Sequence, residues 1–336
     1  MEVAVVTFLI ILFAVIYDLS NGWNDASNAI ATVVGTRVLT PAKAVVFGVV
    51  LNFIGALFSS EVARTVGHEI ADPSLITQTT FLAAVIVAPV WITWCTLKGL
   101  PISCSHSLLG GLVGSVLASA GPEALRGAGL KKILFGVFVS PVAGFILGFI
   151  LVVVVARLFH RIHLRTGTFL FGKLQLVSAG AMAFAHGTGD AQKAMGIITG
   201  SLLAGGYVGL GPDGRMEIPF WVRLLCAGAM AIGTAVGGWA VMRTLGSKLT
   251  HLRTYQGFAA ETAASATILA NTLAGVPLST THSITGAVIG VGAAHRARAV
   301  KWGIGGKIVN AWFFTFPVCI AGGAAANWLL RAVGLH

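Results

Sequence analysis

The chain has 336 residues, of which 56% are hydrophobic and only 10% are charged, whereas soluble domains carry roughly 25% charged residues. This composition excludes a soluble domain and indicates an integral membrane protein, because each helical crossing of a bilayer about 30 Å thick needs roughly 20 apolar residues. The net charge of +11 does not indicate nucleic-acid binding, since the basic residues cluster in short loops between apolar segments, as membrane orientation signals do.

The first half of the chain contains five predicted membrane segments, at residues 3–36, 42–60, 80–98, 100–119 and 131–157. The first segment is interrupted by the polar stretch NGWNDASNAIAT, which contains Asp25. Non-helical backbone at membrane depth survives only where protein or a water-filled cavity satisfies its polar groups. We therefore expect the helix to break at Gly22 and to resume with free N–H groups that can bind an anion.

The fourth segment begins with GLPISCSHSLLGG, residues 99–111. Pro101 suits the start of a helix, and the hydroxyl groups of Ser103 and Ser105 can cap that helix or contact a ligand. The basic stretch RLFHRIHLR, residues 157–165, ends the first half. If the N-terminus lies outside the cell, this stretch is cytoplasmic, as the positive-inside rule requires.

The second half contains five further predicted segments, at residues 168–209, 219–242, 255–273, 275–294 and 302–331. The first of these carries the polar stretch HGTGDAQKA with Asp190, where we expect a second helix break at Gly187. The fourth begins with GVPLSTTHSITGA, residues 275–287, whose first hydroxyl-bearing residues are Ser279, Thr280 and Thr281.

The same two motifs thus occur in the same order in both halves. An odd number of crossings per half would place the halves in opposite orientations, and inverted repeats with interrupted helices are typical of secondary transporters. We therefore predict an all-α polytopic membrane protein, built as an inverted-topology repeat with discontinuous helices and re-entrant segments. The predicted repeats are residues 1–157 and 168–336, joined by a basic cytoplasmic connector at 158–167.

The charge of the two aspartates indicates what else is carried. Two pairs of such motifs can surround a small tetrahedral oxyanion, but Asp25 and Asp190 would repel it unless a cation is carried as well. Moving a dianion inward against about 100 mV costs roughly 4.6 kcal/mol. Two or more monovalent cations, or a neutral metal chelate, would remove that cost. No bound cofactor is expected, because the four cysteines have no paired spacing that indicates a zinc site.

These motifs resemble those of the inorganic phosphate transporter (PiT) family, and the resemblance covers essentially the whole chain. It implies an α-helical secondary carrier of the plasma membrane, usually a homodimer, that imports phosphate with H⁺ or Na⁺ or as a neutral metal–phosphate complex. A few members resemble sulfate carriers. In the family, aspartates and neighbouring polar groups bind coupling ions, while hydroxyl groups and helix ends hold the oxyanion.

Site residues follow from the matching motif positions. The predicted phosphate-binding residues are Ser103, Ser105, Ser279, Thr280, Thr281, Asn28 and Lys193. The predicted cation-coupling residues are Asn24, Asp25, Asp190 and Glu261. The chain departs from the family pattern at Gly189, where many members have Asn, and at Asn52, where the family often has Glu. Gly189 removes an oxygen ligand, and Lys193 stands where the first half has Asn28. A Na⁺ site that uses both halves equally is therefore not expected, and protons are favoured as the coupling ion.

Several alternatives stay open on the sequence alone. A sulfate permease and a passive anion channel fit the same motifs. An intramembrane hydrolase would need one asymmetric set of nucleophile and base, such as Ser103 with His106, whereas the polar residues here are duplicated, so we expect no enzyme. Lys193 can contact the anion or pair with an acid. The histidines His106, His186 and His282 can pack, relay protons or contact ligand.

Overall fold

The computed structural model describes residues 2–72 and 75–335, and this part of the chain is all-helical, without a β-strand. The predicted all-α fold is therefore confirmed. The outer limits predicted for the two repeats, residues 1 and 336, lie outside the described residues. In the first half the α-helices are α1 (Glu2–Gly35), α2 (Pro41–Ala56), α3 (Glu61–Arg64), α4 (Gln78–Leu97), α5 (Cys104–Ala120) and α6 (Gly127–Leu158). In the second half they are α7 (Leu164–Ala204), α8 (Phe220–Val236), α9 (Trp239–Arg243), α10 (Thr254–Leu273), α11 (Thr280–His295) and α12 (Trp302–Ala332).

Five of these helices, α1, α4, α6, α7 and α12, are long and apolar enough to cross a membrane. Two bent pairs bring the number of spans to as many as seven in the described part of the chain. One pair joins α2 to α3 and the π-helical turn Thr65–Glu69 with a bend of 63°, and the other joins α8 to α9 and the turn Thr244–Lys248 with a bend of 62°. Helix α5 is apolar but has only 17 residues, fewer than the roughly 20 that a crossing needs. Discontinuous helices are thus present, but in the second segment of each half rather than in the first, where they were predicted.

The outer surface is apolar and the interior is polar. Phe138 in α6 and Phe313 in α12 are 70% and 73% exposed, whereas Asp25 and Lys193 are each 1% exposed. In water such an arrangement would be unfavourable, because burying ionisable groups costs free energy and exposing aromatic side chains gains none. In lipid it is the expected one, since charged groups inside a membrane protein face its interior. The arrangement therefore supports an integral membrane protein.

The helix breaks predicted at Gly22 and Gly187 are wrong, because α1 and α7 are each one continuous helix. Both glycines instead allow another helix to approach closely. A Cβ atom at Gly22 would overlap the carbonyl oxygen of Met230 in α8, and one at Gly187 would overlap that of Asn52 in α2. The breaks lie elsewhere, between α2 and α3 and between α8 and α9. Consequently no free helix N-terminus follows either aspartate motif.

This packing makes a substitution at Gly187 informative. We expect Gly187→Ala to destabilise the protein by about 1–3 kcal/mol, because the added methyl group must push α2 away from α7. Gly172→Ala is the matched control on the same helix, since a Cβ atom there meets no atom within 4 Å and alanine has the better helix propensity. Thermal unfolding of the two purified variants in detergent checks this expectation. Equal melting temperatures would contradict the proposed close contact.

Each half of the chain packs mainly against the other half. Helix α1 packs against α8 and α7 against α2, while α5 packs against α12 and α11 against α6.

Short loops lead into α5 and α11, and both turn at a glycine in the left-handed region, Gly99 and Gly275, each with φ of +67°. A residue with a side chain adopts this conformation only at a cost. The two turns place the starts of α5 and α11 inside the protein, where the aspartate motifs lie.

Candidate functional site

The two Pro-x-Ser motifs begin helices in the same way. Ser103 is the N-cap of α5 and its hydroxyl oxygen accepts a hydrogen bond from the backbone N–H of His106 at 3.0 Å. Ser279 caps α11 by accepting from the N–H of His282 at 3.2 Å. The hydroxyl of Ser105, in the first turn of α5, donates to the carbonyl oxygen of Leu278, just before α11, at 3.1 Å. The starts of the two helices are thus joined directly.

The start of α11 also contacts both aspartates. The Thr281 hydroxyl donates to Asp25 Oδ1 at 2.9 Å, and the Thr280 hydroxyl donates to Asp190 Oδ2 at 2.8 Å. The amide of Asn28 donates to the Thr281 oxygen at 3.0 Å. All five side chains are at most 2% exposed. Three motifs that are distant in sequence, the two aspartate motifs and the second Pro-x-Ser motif, therefore form one buried polar cluster, which we call the central cluster.

His186 lies between the two carboxylates of the central cluster. Its Nε2 atom is 3.2 Å from Asp190 Oδ2 and 3.8 Å from Asp25 Oδ2. Its Nδ1 atom is 2.8 Å from Asn52 Oδ1. The Asn52 amide donates to Thr234 at 3.0 Å, and the Thr234 hydroxyl in turn donates to a backbone carbonyl. The Nδ1 atom of His186 thus meets an amide oxygen, while Nε2 lies close to two carboxylate oxygens without forming a hydrogen bond to either. The nearness of acceptors to both nitrogens suits the doubly protonated imidazolium.

Lys193 pairs with an acid in this conformation. Its ammonium group forms an ion pair with Asp190 Oδ1, and both side chains are fully buried. A buried charge needs such a partner, because the desolvation penalty is otherwise several kcal/mol. With Asp25 and Asp190 ionised and Lys193 and His186 protonated, the central cluster has no net charge. Removing the proton from His186 leaves one uncompensated negative charge.

The central cluster can also hold a metal cation in place of that proton. Asp25, His186 and Asp190 each bring one ligand atom within 4.8 Å of the others. Two carboxylates and one imidazole nitrogen are common ligands of metal ions, with neutral imidazole as the binding form. A cation and a proton would therefore compete for the same position.

Two predicted cation-coupling residues form their hydrogen bonds outside the central cluster. Asn24 donates to the Thr96 hydroxyl of α4 at 2.7 Å. Glu261 is not in the central cluster. Its carboxylate accepts hydrogen bonds from Thr32, Ser178 and Gln175, which form a separate buried cluster between α1, α7 and α10.

The two motif histidines pack against aromatic rings. The ring centroids of His106 and His282 are 4.7 Å apart in an edge-to-face arrangement, and His282 stacks on Trp312 at 3.8 Å. The indole N–H of Trp312 donates to the carbonyl oxygen of Pro101 at 2.9 Å. These contacts favour the packing interpretation of His106 and His282, since they hold the two helix starts together.

Several site residues were not found by sequence reasoning. Asn52 was noted only as a missing glutamate, although it orients His186. Thr96, Gln175 and Ser178 carried no signal, because an isolated polar residue in an apolar segment has many structural uses. Their partners Asn24 and Glu261 were found through motifs, and only the packing of α4, α7 and α10 shows what contacts them.

Each bent helix pair is tied to one of the loops that lead into α5 and α11. The Thr65 hydroxyl, in the π-helical turn after α3, donates to the carbonyl oxygen of Gly275 at 2.8 Å. The Thr244 hydroxyl, in the turn after α9, donates to that of Gly99 at 2.9 Å. The two contacts are alike, because in each the first residue of a π-helical turn donates to the glycine at which the loop turns. Movement of either bent pair would therefore pull on the loop beside the central cluster.

Comparison with known proteins covers nearly the whole chain. The model of the phosphate transporter family matches residues 21–323. The chain belongs to this family. A probable low-affinity inorganic phosphate transporter of Rhizobium meliloti is 45% identical over 311 residues, which are 92% of this chain and 91% of the relative. One of Bacillus subtilis is 38% identical over 333 residues, 98% of either chain.

Membership of the phosphate transporter family is matched by the fold. A solved structure described as the sodium-dependent phosphate transporter superposes with a TM-score of 0.89 at 25% identity, covering 98% of this chain and 100% of that one. The chain is therefore an inorganic phosphate transporter. It is an integral membrane protein with transmembrane helices. The prediction of a transporter rather than an enzyme is confirmed.

Proposed function

We propose that this transporter imports phosphate by symport with a monovalent cation, and that Asp25 and Asp190 are the coupling groups. The observation that carries this proposal is the central cluster, in which acidic side chains from α1 and α7 meet the hydroxyl groups at the start of α11. Charged groups buried at membrane depth are costly and mark ion pathways. In a passive anion channel, two such carboxylates would only repel the anion, so they favour a carrier that also binds a cation.

The hydrogen bonds of the central cluster suggest how cation and phosphate are coupled. In this conformation Asp25 and Asp190 accept the hydroxyl hydrogens of Thr281 and Thr280. A cation that binds the two carboxylates would compete with these bonds and free the hydroxyl groups to donate to phosphate. The other predicted phosphate ligands, Ser103, Ser105, Ser279, Asn28 and Lys193, lie in or beside the same helix starts. Binding of either ion would then strengthen binding of the other by the same factor.

The two halves would serve alternating access as an inverted repeat. The equivalent hydrogen bonds of Thr65 and Thr244, and the reciprocal packing of α1 with α8 and of α7 with α2, support this proposal. Opening on one side would require one bent pair to leave its loop, and opening on the other side would require the second pair to do so. The family resemblance further leads us to propose a homodimer in the plasma membrane, with residues 158–167 on the cytoplasmic side.

Two observations bear on which cation is coupled to phosphate. The structural neighbour is described as sodium-dependent, whereas the position of His186 between the two carboxylates suits a proton. Glu261 is a second candidate coupling group, because its carboxylate is buried and its hydrogen-bond donors among the described residues are all uncharged.

Uptake of radiolabelled phosphate into proteoliposomes tests the proposal, with the Na⁺ and pH gradients imposed independently. We expect at least one of the two gradients to drive phosphate accumulation above equilibrium. Excess unlabelled phosphate should suppress the uptake more strongly than sulfate does. Phosphate that only equilibrates, whichever gradient is present, would indicate a channel and contradict symport. Uptake that requires Mg²⁺ or Ca²⁺ in proportion to phosphate would indicate the neutral metal complex.

A further inference from the structure

Asp18 is a buried acid that does not belong to the central cluster. It lies on α1 and is 0% exposed, and neither of its carboxylate oxygens has a hydrogen-bond partner among the described residues. The thiol of Cys226 in α8 faces it, but a thiol is a weak donor and cannot replace the hydration of a carboxylate. Leaving a charge buried in this way costs several kcal/mol, so the group needs a ligand that supplies positive charge.

Asn21 provides an independent sign of the same ligand. Its side chain is also 0% exposed, and both its amide nitrogen and its amide oxygen lack a hydrogen-bond partner within the described chain. Buried amide groups in native proteins are nearly always hydrogen-bonded. Because Asn21 follows Asp18 by three residues, the two side chains share one face of α1. Two neighbouring polar side chains without hydrogen-bond partners therefore indicate one position for a ligand.

The same face of α1 leads to the central cluster. Asp25 follows Asp18 by seven residues, which is two helical turns or about 10 Å along the axis. If the N-terminus of α1 lies outside, as the distribution of basic loop residues predicts, Asp18 lies on the outer side of the central cluster. An ion at Asp18 would therefore sit on the inward route and interact with the coupling groups.

The ligand chemistry favours a metal cation over a proton. A proton on Asp18 would supply a single donor, whereas a metal cation can be bound at once by both carboxylate oxygens of Asp18 and by the amide oxygen of Asn21, all of which lack a hydrogen-bond partner among the described residues. The available ligand atoms are all oxygens, two from Asp18 and one from Asn21, and hard cations prefer such ligands. One carboxylate compensates one positive charge.

We propose that Asp18 and Asn21 form a Na⁺ site on the outer side of the central cluster, which a coupling ion occupies on its way inward. This inference rests on the proposed cation symport and adds a second ion position to it. The site differs from the central cluster, where histidine, lysine and hydroxyl groups pair with the carboxylates. Among the described residues, no such group forms a hydrogen bond to the side chain of Asp18 or Asn21.

Equilibrium binding of radiolabelled Na⁺ to the purified full-length protein, without phosphate, tests the site. We expect Asp18→Asn to bind one Na⁺ fewer than the wild type. Asn21→Ala, which removes one ligand oxygen, should raise the Na⁺ concentration for half-saturation about tenfold, as loss of roughly 1.4 kcal/mol implies. The matched control is Ser20→Ala, because the Ser20 hydroxyl donates to the carbonyl oxygen of Ile16 in its own helix. This control should bind Na⁺ as the wild type does.

Thermal unfolding separates a binding role from a structural one. In Na⁺-free buffer we expect Asp18→Asn to be at least as stable as the wild type, because an uncompensated buried charge is removed. Added Na⁺ should raise the melting temperature of the wild type more than that of the variant. A structural carboxylate would give the opposite result, with Asp18→Asn less stable in either buffer, and that result would overturn the proposal.

The outcomes also separate this site from the proposed function. Equal Na⁺ binding by wild type and Asp18→Asn overturns the Na⁺ site, as does a wild type that binds no Na⁺. In either case uphill phosphate uptake driven by a pH gradient would leave cation symport standing. If neither gradient drives uptake in proteoliposomes, symport itself fails, and the count of bound Na⁺ still decides the Asp18 site.

Discussion

Asp25→Asn is expected to abolish uphill phosphate uptake while leaving the protein folded. Asparagine keeps the shape of the side chain and can still accept a hydrogen bond from Thr281, but it has no charge to bind a coupling cation. Losing a charge-assisted interaction of about 3 kcal/mol lowers cation affinity roughly 100-fold. At ordinary cation concentrations, accumulation should therefore be undetectable. Radiolabelled phosphate uptake into proteoliposomes under the gradient that drives the wild type measures this effect.

The matched control for Asp25→Asn is Asp213→Asn. Asp213 is an acid in the loop after α7, with 58% of its side chain exposed, and its removal should leave uptake unchanged. Size-exclusion profiles establish that both variants are folded. Normal accumulation by a folded Asp25→Asn protein would exclude Asp25 from coupling. Asp190→Asn should also abolish uptake, but it leaves Lys193 without its buried partner, so its effect on stability must be measured separately.

Lys193→Met should strongly destabilise the protein as well as stop transport. The Lys193 ammonium and the Asp190 carboxylate form an ion pair that is almost completely buried. Removing one partner of such a pair costs about 3–5 kcal/mol, because the other charge stays in a low-dielectric interior without compensation. Thermal unfolding of the purified variant should show a lower melting temperature, and proteoliposome uptake should be lost.

A double variant separates the two effects of Lys193. Neutral residues in place of a whole buried ion pair are often tolerated, so Asp190→Asn combined with Lys193→Met should recover most of the melting temperature. Phosphate uptake should stay absent, because the coupling carboxylate is missing. Lys173→Met, which removes a lysine near the start of the same helix, far from the ion pair, should change neither property. If the double variant is as unstable as Lys193→Met, the ion pair does not account for the destabilisation.

These expectations depend on contacts that differ in how far the sequence predicts them. The pairing of Asp190 with Lys193 was one of the two roles left open for Lys193, and their spacing of three residues on the continuous helix α7 allows it. The contacts of Thr280 with Asp190 and of Thr281 with Asp25 were expected only in the general sense that the motifs converge. The position of His186 between both carboxylates was not expected at all. It requires Asn52 of α2 to hold the ring from the other side.

The sequence alone determined the solvent, the class of fold and the family. Composition reports the solvent, because about 20 apolar residues in succession are stable only in lipid. The repeated aspartate and Pro-x-Ser motifs identify the family, because polar and charged residues within apolar segments are costly and therefore rare. The same pattern in both halves is not expected to arise by chance. They also led to the N-caps Ser103 and Ser279, since capping is a local interaction that needs only the neighbouring residues.

Only the tertiary structure decided where the helices break and which groups meet. A glycine beside a polar motif suits both a break and a close helix contact, and local sequence cannot distinguish them. The choice at Gly22 and Gly187 is made by the backbones of Met230 and Asn52, which belong to other helices. For the same reason Glu261 lies in its own cluster, and Asp18 and Asn21 are left with unused bonding capacity. Burial and partners are properties of packed helices, and they exist only once the chain is folded.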